Sequence, residues 1–147
     1  TPTTMDLQKQ MQQLPQVNCP VKELLDTSTR TYTRELFIPK GTMALGKIHR
    51  KPCLNIITKG KLAVKTSLQD EGKVFEVPEF ETMTFITNSG SQKIVYALED
   101  TIIINVFSDV NAKTLADVEE ELIIPMDMLE YYDENKLLKE ATDGMDS

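Results

Sequence analysis

His49 is the one histidine in the chain, and the residues around it define the chemistry to consider. Cys53 follows four positions later. A turn that folds a cysteine onto a histidine makes a thiolate–imidazolium nucleophile. The local sequence offers no oxyanion donor and no third orienting group, so this pair is expected to be structural. Lys47 stands two residues before His49, and Asn55 two residues after Cys53. Residues two apart on an extended segment share a face. Lys47 and His49 would then present a cation and an imidazole to an anionic or polar ligand, with Asn55 adding an amide. The plainer reading of His49 is a side chain hydrogen-bonded to backbone. Glu76, Glu79 and Glu81 could supply carboxylates for acid–base work, although a solvated strand face explains them equally simply. The sequence has no P-loop, no dinucleotide-binding glycine fingerprint and no nucleophile elbow. A serine–histidine–aspartate triad finds no support in the spacing.

Composition narrows the classes. The 147 residues carry 23 acids against 16 lysines and arginines, a net charge of −7. That excess argues against nucleic acid as the main partner, because phosphate backbones require a basic face. The charge is uneven. Segment 40–65 is basic, whereas the chain beyond Asp109 is acid-rich, including Glu119, Glu120 and Glu121. No apolar run is long enough to span a bilayer, and no secretory signal is visible. Cys19 and Cys53 are too few for a disulfide framework, which fits a reducing compartment.

These side chains need elements to hold them. Met5, Leu7, Met11 and Leu14 recur at helical spacing, which predicts a short helix over 4–14 with Thr4 as its cap and Pro15 as its stop. An extended lead-in follows to residue 32, with one helical turn at Val21 to Leu25. From there the chain reads as strands rich in Val, Ile, Thr, Phe and Tyr. They are expected at 32–38, 43–49, 54–58, 61–66, 73–77, 83–87, 93–98 and 101–107. Turn signals separate them, among them Pro39-Lys40-Gly41, Lys59-Gly60 and Asn88-Ser89-Gly90. About eight short strands at regular spacing predict a sandwich or barrel. Beyond it a helix is expected through Ala116 to Leu122, starting at Thr114 or Asp109. A second is expected over 126–138 after Pro125, followed by a tail. The domain reading is an N-terminal arm over 1–32, a β-barrel over 33–108 and an acidic helical extension over 109–147.

The β region resembles the cupin superfamily. Its first motif places Gly, five residues, His, one, His, three or four, Glu, six, Gly. Here Gly41, Lys47, His49, Cys53 and Gly60 fill that frame. Its second motif places Gly, five, Pro, one, Gly, two, His, three, Asn. Gly72, Pro78, Phe80, Met83 and Thr87 fit that spacing. The resemblance implies an all-β, cupin-like jelly-roll barrel of about eight strands with short helical arms. It puts the family's four metal ligands on Lys47, His49, Cys53 and Met83, of which only His49 is retained. A protonated lysine does not ligate, so no metal and no cofactor are expected. The same residues, with Asn55, become a candidate ligand site at the barrel mouth.

The run from Phe37 to Gly60, the segment Tyr96 to Thr101 and the stretch Asp117 to Ile123 are similar to small cupin-like proteins of tailed bacteriophages. That likeness implies a non-enzymatic virion or assembly component, in the virion or the host cytoplasm. Terminal arms with little core of their own are expected to pack on other chains, giving a homo-oligomer and virion partners. The alternative is a protein that binds a small anionic metabolite or nucleotide at the barrel mouth. A metal-dependent cupin enzyme is the third reading. Neither nucleic acid nor a membrane is an expected partner.

Overall fold

The computed structural model describes residues 4–66, 70–124 and 145–146. Among the described residues, ten strands form two antiparallel sheets, with two short helices. Helix α1 spans Thr4–Gln12. Strands β1 (Val21–Asp26), β2 (Thr31–Ile38), β4 (Cys53–Lys59), β7 (Met83–Thr87), β9 (Thr101–Phe107) and the two-residue β10 (Met145–Asp146) make the larger sheet, in the order β1-β2-β9-β4-β7-β10. Strands β3 (Met43–Leu45), β5 (Lys61–Lys65), β6 (Lys73–Glu76) and β8 (Ile94–Ala97) make the smaller, in the order β3-β8-β5-β6. This is the expected jelly roll.

Alternation builds the core. In β4 and β9 every second residue is buried, so each strand turns one face inward. Ile38, Ile57, Phe85 and Ile103 from the larger sheet meet Leu62, Val64, Phe75, Val95 and Ala97 from the smaller. Phe75 and Phe85 stack across the gap with centroids 4.6 Å apart. Gly60 makes the tight turn between β4 and β5. Its φ is +109°, and a Cβ there would sit 2.7 Å from the Cα of Thr101.

A second apolar cluster closes one end. Tyr32, Cys53 and Phe107 pack there against Val110, Ala112, Val118 and Leu122. The last two belong to helix α2 (Leu115–Leu122). Thr114 caps this helix, its Oγ1 accepting the Asp117 N–H. The segment is tied down across the sheet end. Arg50 N donates to Leu122 O, and Ile124 N donates to Ile48 O. Lys51 pairs with Glu121 at 2.8 Å.

Two local expectations differ from the structure. Val21–Asp26 is a strand, not a helical turn. It pairs with β2 through a turn in which the Asp26 carboxylate accepts bonds from Ser28 and Thr29. Strand β3 ends at Leu45, before His49, because beyond Gly46 the backbone bonds pass from Lys93 to residues 122–124 at the end of α2. The helix expected over 126–138 lies outside the described residues.

Candidate functional site

Inner faces of neighbouring strands align in rows, and one row is polar. Arg34 on β2 stands opposite Asn105 on β9, which stands opposite Asn55 on β4. Arg34 shares its inward parity with Tyr32, Leu36 and Ile38, which enter the two apolar clusters. It therefore faces the interior, where it is half-buried. The polar row lies between those clusters.

Asn55 is fully buried and organises the layer. Its Nδ2 donates to Cys53 O at 3.3 Å, Phe85 O at 3.2 Å and Thr87 Oγ1 at 3.3 Å. Its Oδ1 accepts from Asn105 Nδ2 at 2.8 Å. The same oxygen accepts from Lys93 Nζ at 2.7 Å. Lys93 leads into β8 from the opposite sheet and is only 8% exposed. Cys53, 1% exposed, lies beside the amide, its Sγ 3.9 Å from Asn55 Oδ1.

The electrostatics are one-sided. Four ion pairs join described residues, and none includes Lys93 or Arg34. At the rim, Tyr32 donates its hydroxyl to Glu23 at 2.7 Å. Burial holds Lys93 below the ordinary lysine value. The Cys53 sulfur opposes that shift and the Arg34 charge adds to it. Burial raises the Cys53 thiol, against the Lys93 charge. His49 packs edge-on against Phe107 with centroids 5.0 Å apart. Burial pushes its pKa down to about 3, and the Lys93 and Arg34 charges push the same way. It is a neutral imidazole. Ser91, two residues before Lys93, is 4% exposed, and its Oγ has no hydrogen-bond partner among the described residues.

The structure brings His49, Cys53 and Asn55 together around Lys93 and separates Lys47 and Met83 from them. Lys47 is exposed and pairs with Glu119 of α2 at 2.6 Å. The end of β3 at Leu45 breaks the parity that would have aligned it with His49. Met83 packs against the apolar core instead, opposite Ile57. The residue that sequence reasoning missed is Lys93. Gly72 lies in the β5–β6 connection, whereas the turn from β7 to β8 contains Gly90. With Gly90 at the motif's second glycine the histidine position falls on Lys93, while Thr82, Asn88 and Ala97 stand at the first glycine, proline and asparagine positions.

These residues do not fit the metal of the cupin pattern. The buried Lys93 is a cation that would repel a metal ion, and its ammonium is directed at an amide oxygen. Among the described residues, no three His, Cys, Asp or Glu side chains gather as a metal site would require.

No known protein-family profile matches the sequence, and no curated protein matches it. Solved structures do match. Ectoine synthase from P. lautus is 15% identical, with a TM-score of 0.53 over 74% of this chain and 75% of that one. A double-stranded β-helix protein from Klebsiella pneumoniae is 12% identical, with a TM-score of 0.52 over 69% and 83%. A cupin superfamily protein from Desulfitobacterium hafniense is 9% identical, with a TM-score of 0.49 over 65% and 82%. The expectation of a non-enzymatic protein is corrected by the first of these. A named enzyme shares the fold, so faded ligand positions give no ground for excluding catalysis. Nothing in these comparisons supports the bacteriophage likeness or a virion role. At such identities they show the fold alone: this chain has a jelly-roll fold of two facing sheets.

Proposed function

We propose that the chain binds a small anionic metabolite between the two sheets, using side-chain cations where the cupin pattern has a metal ion. The observation that carries this reading is the buried Lys93 facing Asn55, with Arg34 in the same polar row and, among the described residues, no carboxylate paired to either. Two such cations repel each other in a medium of low dielectric. An anion between them would remove that repulsion and recover the desolvation cost. Arg34 supplies a permanent charge and a planar fork suited to a carboxylate or phosphate. Lys93 adds a second donor, Asn105 an amide, and His49 a neutral imidazole. Tyr32 and Phe107 form an aromatic wall on one side, with ring centroids 6.0 Å apart. The unpartnered Ser91 hydroxyl is a further donor within the same region of chain.

A melting-temperature screen in chelator-treated buffer tests the reading. Carboxylates, phosphates and nucleotides are compared with neutral sugars. Binding at about one hundred times Kd stabilises by about 2.7 kcal/mol. In a chain of this size that corresponds to roughly 5–10 °C. The expected hits are anions, and their effect disappears in Arg34→Gln. Stabilisation by neutral sugars alone, or by no compound, would overturn the proposal.

A further inference from the structure

Lys93 has a chemical capacity beyond its charge. Long lysine side chains ordinarily extend their ammonium to water, but this one ends inside, held at 2.7 Å by the Asn55 amide oxygen. Asn55 is itself fixed by three bonds from its Nδ2 and one from Asn105. The amine is thus placed by a rigid network rather than by a flexible loop. No described carboxylate pairs with it to lock the protonated form. Burial further disfavours that form. A desolvated lysine is the usual amine nucleophile toward carbonyl compounds.

We propose that Lys93 forms an imine with small carboxylates that carry an adjacent aldehyde or ketone, Arg34 holding the carboxylate. This rests on the anion-binding reading above and names the class of ligand. In the step, the neutral Nζ lone pair adds to the carbonyl carbon. The carbonyl oxygen takes up a proton and gives a carbinolamine. That oxygen then leaves as water with the two hydrogens lost from nitrogen, and a C=N bond remains. No oxidant or reductant is consumed. The apolar clusters on either side limit water, which favours the imine over its hydrolysis.

Trapping on the intact chain tests this. The protein is incubated with glyoxylate, and separately with pyruvate, in the presence of cyanoborohydride, which reduces the imine to a stable amine. Peptide mapping by mass spectrometry then locates the adduct. Lys93 should be modified at least about tenfold faster than exposed Lys22, whose rate calibrates the reagent. Acetaldehyde, which lacks the carboxylate, should modify Lys93 about tenfold more slowly than glyoxylate, relative to Lys22 in each case. That is the loss expected for about one ion-paired contact. Arg34→Gln should have the same effect, and the comparison with acetaldehyde stands even if that variant fails to fold. Modification of Lys22 with Lys93 unmodified, or equal rates at both, overturns the proposal. If glyoxylate raises the melting temperature without modifying Lys93, the imine is refuted while anion binding survives. If it does neither, and no other anion stabilises, both readings fall.

Discussion

Replacing Lys93 with methionine should stabilise the protein, although it deletes a hydrogen bond. The ammonium makes one bond to Asn55 Oδ1, a neutral acceptor. A hydrogen bond to a charged group is worth about 1.5–3 kcal/mol. Against this stands the desolvation of a cation that is 8% exposed and has no carboxylate partner among the described ion pairs. That cost is several kcal/mol, on the order of 3–5. Asn55 Oδ1 keeps its bond from Asn105 after the substitution. Methionine is unbranched and fills much of the same path. The net gain at pH 7 is about 1–3 kcal/mol, roughly 2–12 °C in Tm. The pH dependence supplies a sharper signature. The folded Lys93 lies below its unfolded value of about 10.4, so in that window the unfolded chain binds more protons. Wild-type stability therefore rises with pH through the window. The methionine variant lacks this contribution, so its advantage should shrink as pH approaches about 10. Urea unfolding at several pH values measures both quantities. A variant destabilised by more than about 2 kcal/mol, or an advantage independent of pH, would refute the claim that Lys93 is an unpaired buried cation.

Three further outcomes follow from the same geometry. Asn55→Leu leaves Lys93 Nζ and Asn105 Nδ2 without their acceptor and should cost about 3–5 kcal/mol, read by thermal unfolding; a loss below about 1 kcal/mol would contradict the network. His49 has a folded pKa of about 3 against about 6.5 unfolded, so stability should fall as pH drops below 6.5, by up to about 1.4 kcal/mol per pH unit. Wild type should lose that increment relative to His49→Gln between pH 6.5 and 4.5, and identical slopes would show an accessible, protonated imidazole. Gly60→Ala combines a φ of +109° with a Cβ clash on Thr101 and should cost more than about 2 kcal/mol in urea unfolding; a near-neutral effect would mean that this turn relaxes freely.

The strands were legible because alternation and turn chemistry agree. Strand β7 runs over Met83–Thr87 and β9 over Thr101–Phe107, as their patterns predict. Strand β1 was harder to read, because Val21, Lys22, Glu23 and Leu24 at a sheet edge are exposed on both faces and show no alternation. Asn55 and Cys53 were candidates from their spacing to His49, and both lie in the buried polar layer. Lys93 was not, since lysine reads as surface and its burial depends on a long-range partner, Asn55 on β4. Arg34 likewise looked like one charge in the mixed run Thr33-Arg34-Glu35. Only the register of β2 on β9 reveals its inward face. The frame through Gly72 and Met83 fits by spacing, but spacing does not say which turn joins which strands.

Titration calorimetry in metal-free buffer separates a cation-lined anion site from a metal-dependent one. A carboxylate or phosphate that stabilises the protein is titrated into wild type and into Arg34→Gln. Wild type should show one binding site with no metal added, and the variant an affinity at least about tenfold weaker. Binding that appears only after a divalent metal is supplied, with Arg34→Gln unaffected, would contradict the cation-lined site.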